Sequence, residues 1–214
     1  MSESEQESSI ISLDFFKREF WDNFYKNHNP KSPYINWYFD ITKLNIDNFS
    51  LSKIQKEEDI LLIGPGLSSI LDYFYENDYE KITIYDYSDE LVKILNDKYK
   101  GWSIDCYDIV DISESFSGGF NIIIDKGCLD CVLSEPKRGQ SNFIKAFNNI
   151  LSLLSDDGIF YYFSTSNERE NLMRRENKIK CIITKIDMNK DMGEQYKQFK
   201  QEDNIYFLYT IQKY

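Results

Sequence analysis

A chain of 214 residues with 42% hydrophobic content is long enough to close one full core without disulfide or metal staples. Its formal charge of −11 argues against nucleic-acid binding driven by phosphate contacts, and no apolar run approaches the length of a membrane span. The aromatic content is high, with 16 Tyr and 15 Phe, so aromatic walls are available to whatever site the fold builds.

Residues 1–9 are rich in Ser and Glu and lack both a basic and an apolar region. They are expected to form a disordered acidic tail rather than a signal peptide. Residues 10–214 are expected to form one domain, with 10–57 as a helical lid. Leu13 to Tyr25 carries a broad apolar stripe at helical spacing (Leu13, Phe16, Phe20, Trp21, Phe24, Tyr25). Pro30 and Pro33 break that pattern, Tyr34 to Leu44 is aromatic and irregular, and a second short helix is expected from about Ile46 to Lys56.

The stretch Asp59 to Gly66 is the organising one. Asp59 to Ile63 reads as a short buried strand, Gly64-Pro-Gly66 as a tight turn, and Leu67, Ile70, Leu71, Phe74 and Tyr75 as the start of a helix. Glycines at such a turn let a ligand approach the backbone, and the N–H groups of the first helical turn are placed to meet it. A second strand, Lys81 to Tyr85, ends at Asp86, where an α/β nucleotide site places the acid that bonds ribose hydroxyls.

Asp89 to Tyr99 is expected as a helix closed by Gly101, and Trp102 to Tyr107 as a third strand running to Asp108. After a turn at Ser117-Gly-Gly119, Phe120 to Ile124 reads as a fully buried fourth strand ending at Asp125. Phe143 to Leu154 is a strong helix stopped by Asp156-Asp-Gly158, and Ile159 to Ser164 is a fifth strand. A short charged helix is expected over Asn167 to Arg175. Ile179 to Met188 and Ile205 to Gln212 read as strands with no helix between them, so they must pair antiparallel. The fold class that results is α/β: a single doubly wound, Rossmann-like seven-stranded sheet. It is mostly parallel, ends in a C-terminal antiparallel hairpin, and is flanked by helices.

The cysteines (Cys106, Cys128, Cys131, Cys181) fall on expected strands or strand ends and suggest reduced thiols in a cytoplasmic protein. Cys128 and Cys131 have the spacing of half a metal site. No second Cys/His pair exists and the only histidine is His28, so neither zinc nor a His-activated nucleophile is expected. Ser69 stands where a dinucleotide fingerprint carries its third glycine, which weakens a nicotinamide-dependent reading. No Gly-Lys-Ser/Thr follows the turn, which excludes a P-loop.

Three motifs in order narrow the reading: Trp21-Asp-Asn-Phe-Tyr25, Tyr34-Ile-Asn-Trp37 and Asp125-Lys-Gly-Cys-Leu-Asp130. With the glycine turn they resemble the class I S-adenosylmethionine-dependent methyltransferases, and within them the branch of eukaryotic elongation factor 1A lysine methyltransferases. That branch carries a WDxxY segment, a Y(D/E)W(F/Y) segment and a (D/E)KG(T)LD motif after the fourth strand. The resemblance implies that Trp21, Tyr25 and Trp37 close over S-adenosylmethionine from the N-terminal side. It implies that Gly64, within the Gly64–Gly66 turn, faces the amino-acid moiety and that Asp86 bonds the ribose. Tyr87 would line the adenosine, Asp108 and Ile109 would contact the adenine, and Lys126 would sit beside the cofactor. Asp125 would orient the methyl acceptor or cap the turn that follows. The partner implied is a protein substrate with a target lysine, with no nucleic acid and no membrane. A small-molecule acceptor, or a non-catalytic scaffold of the same fold, stays as the alternative. Two departures stand out: Leu67 replaces an amide in the family's Gly-Cys-Gly-Asn-Ser, and Phe163 to Ser166 lacks the usual following Pro-His.

Overall fold

Four consecutive apolar residues, Ile60–Ile63, form strand β1, and all four are buried. A strand buried on both faces belongs at the centre of a parallel sheet covered by helices on each side. The computed structural model describes residues 14–28, 34–44, 46–112, 118–191 and 205–214. The expected tail, the start of the first helical stripe at Leu13, the Pro30/Pro33 break and the polar connection before Ile205 lie outside the described residues.

In chain order the elements are α1 (Arg18–Lys26), β1, α2 (Ser69–Glu76), β2 (Ile82–Asp86), α3 (Asp89–Lys98), β3 (Ser103–Cys106) and β4 (Phe120–Lys126). Then come α4 (Cys128–Leu133), α5 (Gly139–Leu153), β5 (Leu154–Ser164), α6 (Glu170–Met173), β6 (Ile179–Asp187), α7 (Met188–Asp191) and β7 (Ile205–Lys213). The seven-stranded sheet has the order β3-β2-β1-β4-β5-β7-β6. Strands β1 to β5 pair in parallel, whereas β7 is antiparallel to both β5 and β6. The chain winds outward from β1 through β2 and β3, then returns to start the other half at β4. That reversal makes the crevice between β1 and β4 a topological switch point.

Side-chain alternation splits the core in two. Ile60, Leu62, Ile84 and Ile124 pack with α1, α2, α3 and residues 39–54 on one face. Leu61, Ile63, Ile123, Phe160 and Tyr162 pack with α4 and α5 on the other. Among the described residues no helix is long and apolar enough to cross a membrane.

Four local expectations are corrected. The first helix begins only at Arg18, because the Phe15 carbonyl is turned inward to accept from the Trp21 indole at 2.7 Å. Instead of a helix over 46–56 there is a single 3₁₀ turn, Leu51–Lys53, and another 3₁₀ turn, Ile41–Lys43, precedes that stretch. Apolar residues around these turns plug individually into the sheet, as Phe49 does against Tyr161 and Phe163 at 4.9 and 5.2 Å between ring centroids. An additional helix, α4, follows β4 and carries Cys128 and Cys131, which are therefore not on a strand. Finally, Asp156-Asp-Gly158 does not separate α5 from β5 but lies within β5, where the register with β4 shifts between Phe120 and Ile122. A Cβ at Gly158 would come within 2.8 Å of the Phe120 carbonyl, so the irregular pairing requires glycine.

Candidate active site

Register brings the strand ends together. Ile63 is level with Tyr85 on one side and Asp125 on the other, and Asp86 is level with Cys106. Gly64, Asp86, Asp108 and Lys126 thus leave the sheet along the same edge.

The turn after β1 is held in the left-handed region at Gly64 (φ +52°) and Gly66 (φ +61°). A Cβ at Gly64 would meet Cys128 Cβ at 2.8 Å, and one at Gly66 would meet the Tyr25 hydroxyl at 2.9 Å. Both glycines are therefore fixed by what packs over the turn as well as by backbone conformation. The N-terminus of α2 is less open than expected. Asn36 Oδ1 accepts from the Ser69 N–H and from the Ser68 and Ser69 hydroxyls, each at 3.1 Å.

Asp86 is 6% exposed, and its Oδ1 accepts from the Ser88 N–H at 3.0 Å. Burial pushes its carboxyl up to about 7, against the pull of the Ser88, Gly66 and Tyr87 N–H groups. Asp108 accepts from the Val110 N–H at 2.9 Å, and Asn149 of α5 donates to the carbonyls of Ile109 and Val110. Those bonds fix the loop after β3 at the cavity wall. Tyr87 donates to the Phe15 carbonyl at 3.3 Å.

Trp21 and Tyr25, four residues apart on α1, stack with centroids 5.9 Å apart, and Trp21 meets Trp37 edge-on at 5.5 Å. Asp22 points the other way, accepting from the Ser88 hydroxyl at 2.6 Å and the Glu90 N–H at 3.4 Å. The buried indole nitrogen of Trp37 has no hydrogen-bond partner among the described residues. Lys126 donates to the Trp37 carbonyl, and burial pulls its amine down to about 8 while Asp40 and Asp125 oppose the shift.

These groups surround a cavity of about 520 Å³. Trp21, Tyr25, Trp37, Gly64, Gly66, Asp86, Tyr87, Asp108, Ile109 and Lys126 all line it. Asp125 does not. It is fully buried, and its two oxygens accept from the Cys128 and Leu129 N–H groups at 2.8 and 2.9 Å. Of the two roles open to it in the sequence, this geometry matches the cap.

The chain superposes on a TehB-like SAM-dependent methyltransferase from Corynebacterium glutamicum with a TM-score of 0.61, at 13% identity over 92% of this chain and 98% of that one. It superposes on the N-methyltransferase NodS from Bradyrhizobium japonicum, solved in complex with S-adenosyl-L-homocysteine, with a TM-score of 0.51 at 13% identity over 73% and 78% of the two chains. The fold is that of the class I methyltransferases. No protein-family model matches the sequence. It is 26% identical over 57% of its length to the eEF1A lysine and N-terminal methyltransferase of Danio rerio. It is 24% identical over 64% of its length to EEF1A lysine methyltransferase 4 of Mus musculus. The chain spans 18% and 54% of those two proteins. In sequence, then, this methyltransferase-fold chain resembles the elongation factor 1A lysine methyltransferases.

Three side chains were not singled out in the sequence: Tyr38, which lines the cavity, and Asp22 and Asp130, which bond to groups behind its walls. Each had a signal in the motifs. Asp22 is the acid inside the Trp-Asp pair, Tyr38 is the aromatic after Trp37, and Asp130 closes the Asp-Lys-Gly segment. What the motifs lacked was the set of partners that explains why an acid or a phenol stands there.

Proposed function

We propose that this chain is an S-adenosylmethionine-dependent methyltransferase that methylates a lysine of a protein substrate resembling elongation factor 1A, in the cytoplasm. The observation that carries the reading is the convergence of ten residues from the lid and from the ends of β1, β2, β3 and β4 on one cavity at the switch point.

The donor set fits the cofactor. A buried carboxylate at the end of β2 suits two ribose hydroxyls, so Asp86 would hold the sugar. Tyr87 and Ile109 supply flat apolar surface for an adenine, and the ordered Asp108 loop supplies polar edges. The glycine turn admits an amino-acid moiety against the backbone, and the orphaned Trp37 N–H offers it a donor. The rings of Trp21, Tyr25 and Trp37 suit a compact cation. When bound, the cofactor supplies an electrophilic methyl on a sulfonium. Asp125 acts as a positioning residue, because it fixes α4 and therefore the Cys128 surface that packs over Gly64.

An acceptor lysine must lose a proton, which from an ordinary pKa costs about 4–5 kcal/mol at pH 7. Removal from water on binding and the neighbouring Lys126 amine disfavour the ammonium and lower that cost. The chain's residues then need only to exclude water and hold the amine in line, without a dedicated base.

Titration with S-adenosylmethionine, S-adenosylhomocysteine and NAD, followed by tritiated-methyl transfer to elongation factor 1A, tests the reading. Binding of both sulfur ligands and label in protein lysine is expected. Stabilisation by NAD alone would end it, and label only in small molecules would shift the acceptor class.

A further inference from the structure

One side chain at the cavity is held with more constraint than packing needs. Tyr38 has φ +67°, a left-handed conformation that a bulky residue adopts only when its surroundings impose it. Its ring covers Gly127, where an added Cβ would lie 3.1 Å from ring carbons, so the glycine of the Asp-Lys-Gly segment makes room for it. Its hydroxyl donates to Asp130 Oδ2 at 2.8 Å. The same carboxylate also accepts from the Tyr162 hydroxyl at 2.6 Å, the Ser164 hydroxyl at 2.8 Å, the Thr165 N–H at 3.1 Å and Arg169 Nε at 3.1 Å. Five donors from the lid, the end of β5 and the approach to α6 thus lock one acid, and that acid locks Tyr38.

We propose that Tyr38 is the wall and hydrogen-bond acceptor for the substrate amine, with Asp130 as the residue that positions it. This deepens the methyltransferase reading and rests on it. Tyr38 lines the cavity beside Trp37 and Lys126, on the β4 side and across the switch point from Asp86. Its ring face suits the methylene stem of a lysine. With its hydrogen committed to Asp130, the phenol oxygen keeps lone pairs that accept from an amine N–H. Burial and then Asp130 hold the phenol protonated, so that polarity persists over the working pH range.

The test uses n-butylamine, a lysine side-chain mimic, observed by saturation-transfer NMR on protein loaded with S-adenosylhomocysteine. Wild type is expected to bind it. Tyr38→Phe, which keeps the ring and loses only the oxygen, should weaken it about fivefold, the worth of one hydrogen bond. Affinity for S-adenosylhomocysteine should stay the same in the variant, a split that a merely structural role would not produce. Equal n-butylamine affinity in wild type and variant, or no n-butylamine binding to loaded wild type, overturns the proposal while the cofactor reading stands. Wild type that takes up no S-adenosylhomocysteine overturns both.

Discussion

Asp86 carries a pH signature that can be measured directly. Its folded pKa of about 7 in the ligand-free protein exceeds the roughly 3.9 of an unfolded aspartate. Its contribution to stability is therefore whole below about pH 4 and is lost as pH rises towards 7. In the proposed site, ribose hydroxyls donate to the ionised form of Asp86, so binding below about pH 7 should expel a proton. Affinity for S-adenosylhomocysteine should tighten as pH rises to about 7 and level off above it, with calorimetry in two buffers of different ionisation enthalpy reading the released proton. Asp86→Asn should flatten the profile, and a flat wild-type profile would detach Asp86 from the ribose. The glycine turn gives a second residue-scale prediction. Gly66→Ala meets both a left-handed backbone and the Tyr25 hydroxyl, and should cost about 1–3 kcal/mol in urea denaturation. Tyr25→Phe removes the hydroxyl, so the cost should fall in that background by the contact's share; equal costs in both backgrounds would show that the backbone alone is responsible.

At the scale of elements, α1 works as a two-sided clip. Trp21 and Tyr25 face the cavity at a spacing of four, while Asp22 reaches the start of α3. Asp22→Ala should cost about 1 kcal/mol in stability and speed cofactor dissociation, because the clip loses its hold on α3 while its aromatic face is intact. Stopped-flow tryptophan fluorescence would report the rate, and an unchanged rate would mean that aromatic packing alone seats α1. The apolar stripe made α1 legible, but its start was hidden because an inward-turned Phe15 carbonyl leaves no mark in periodicity. Helix α4 was illegible for a related reason: it is six residues long, and its cap comes from Asp125 on the preceding strand across a left-handed Gly127. Asp156-Asp-Gly158 has the composition of a turn, and only pairing with β4 keeps it in the sheet.

Across the whole molecule, the sheet was legible because apolar strand runs recur along the chain, with helices between β1, β2 and β3 and between β4 and β5, and among the described residues only the four-residue α7 between β6 and β7. The register of the acids followed from their positions at strand ends. Which hairpin strand joins β5 did not follow, since both are apolar enough to do so; the structure seats β7 there and leaves β6 at the edge. The hub at Asp130 was invisible in sequence because its partners lie up to 92 residues away. That hub predicts how stability is shared. Asp130 and Arg169 are 10% and 21% exposed at their side chains, and Tyr162 is fully buried. Asp130→Ala would strand a guanidinium and two phenol hydroxyls at once, and should cost about 3 kcal/mol. Because the carboxylate ties the lid to β5 and α6, hydrogen-exchange protection should fall together in residues 34–44, the end of β5 and residues 169–173. It should be retained in β1 to β3, which Asp130 does not touch. Loss confined to α4 would mean that the lid is held by its aromatic packing, as in Phe39 against Phe163 at 5.7 Å, and not by the shared acid.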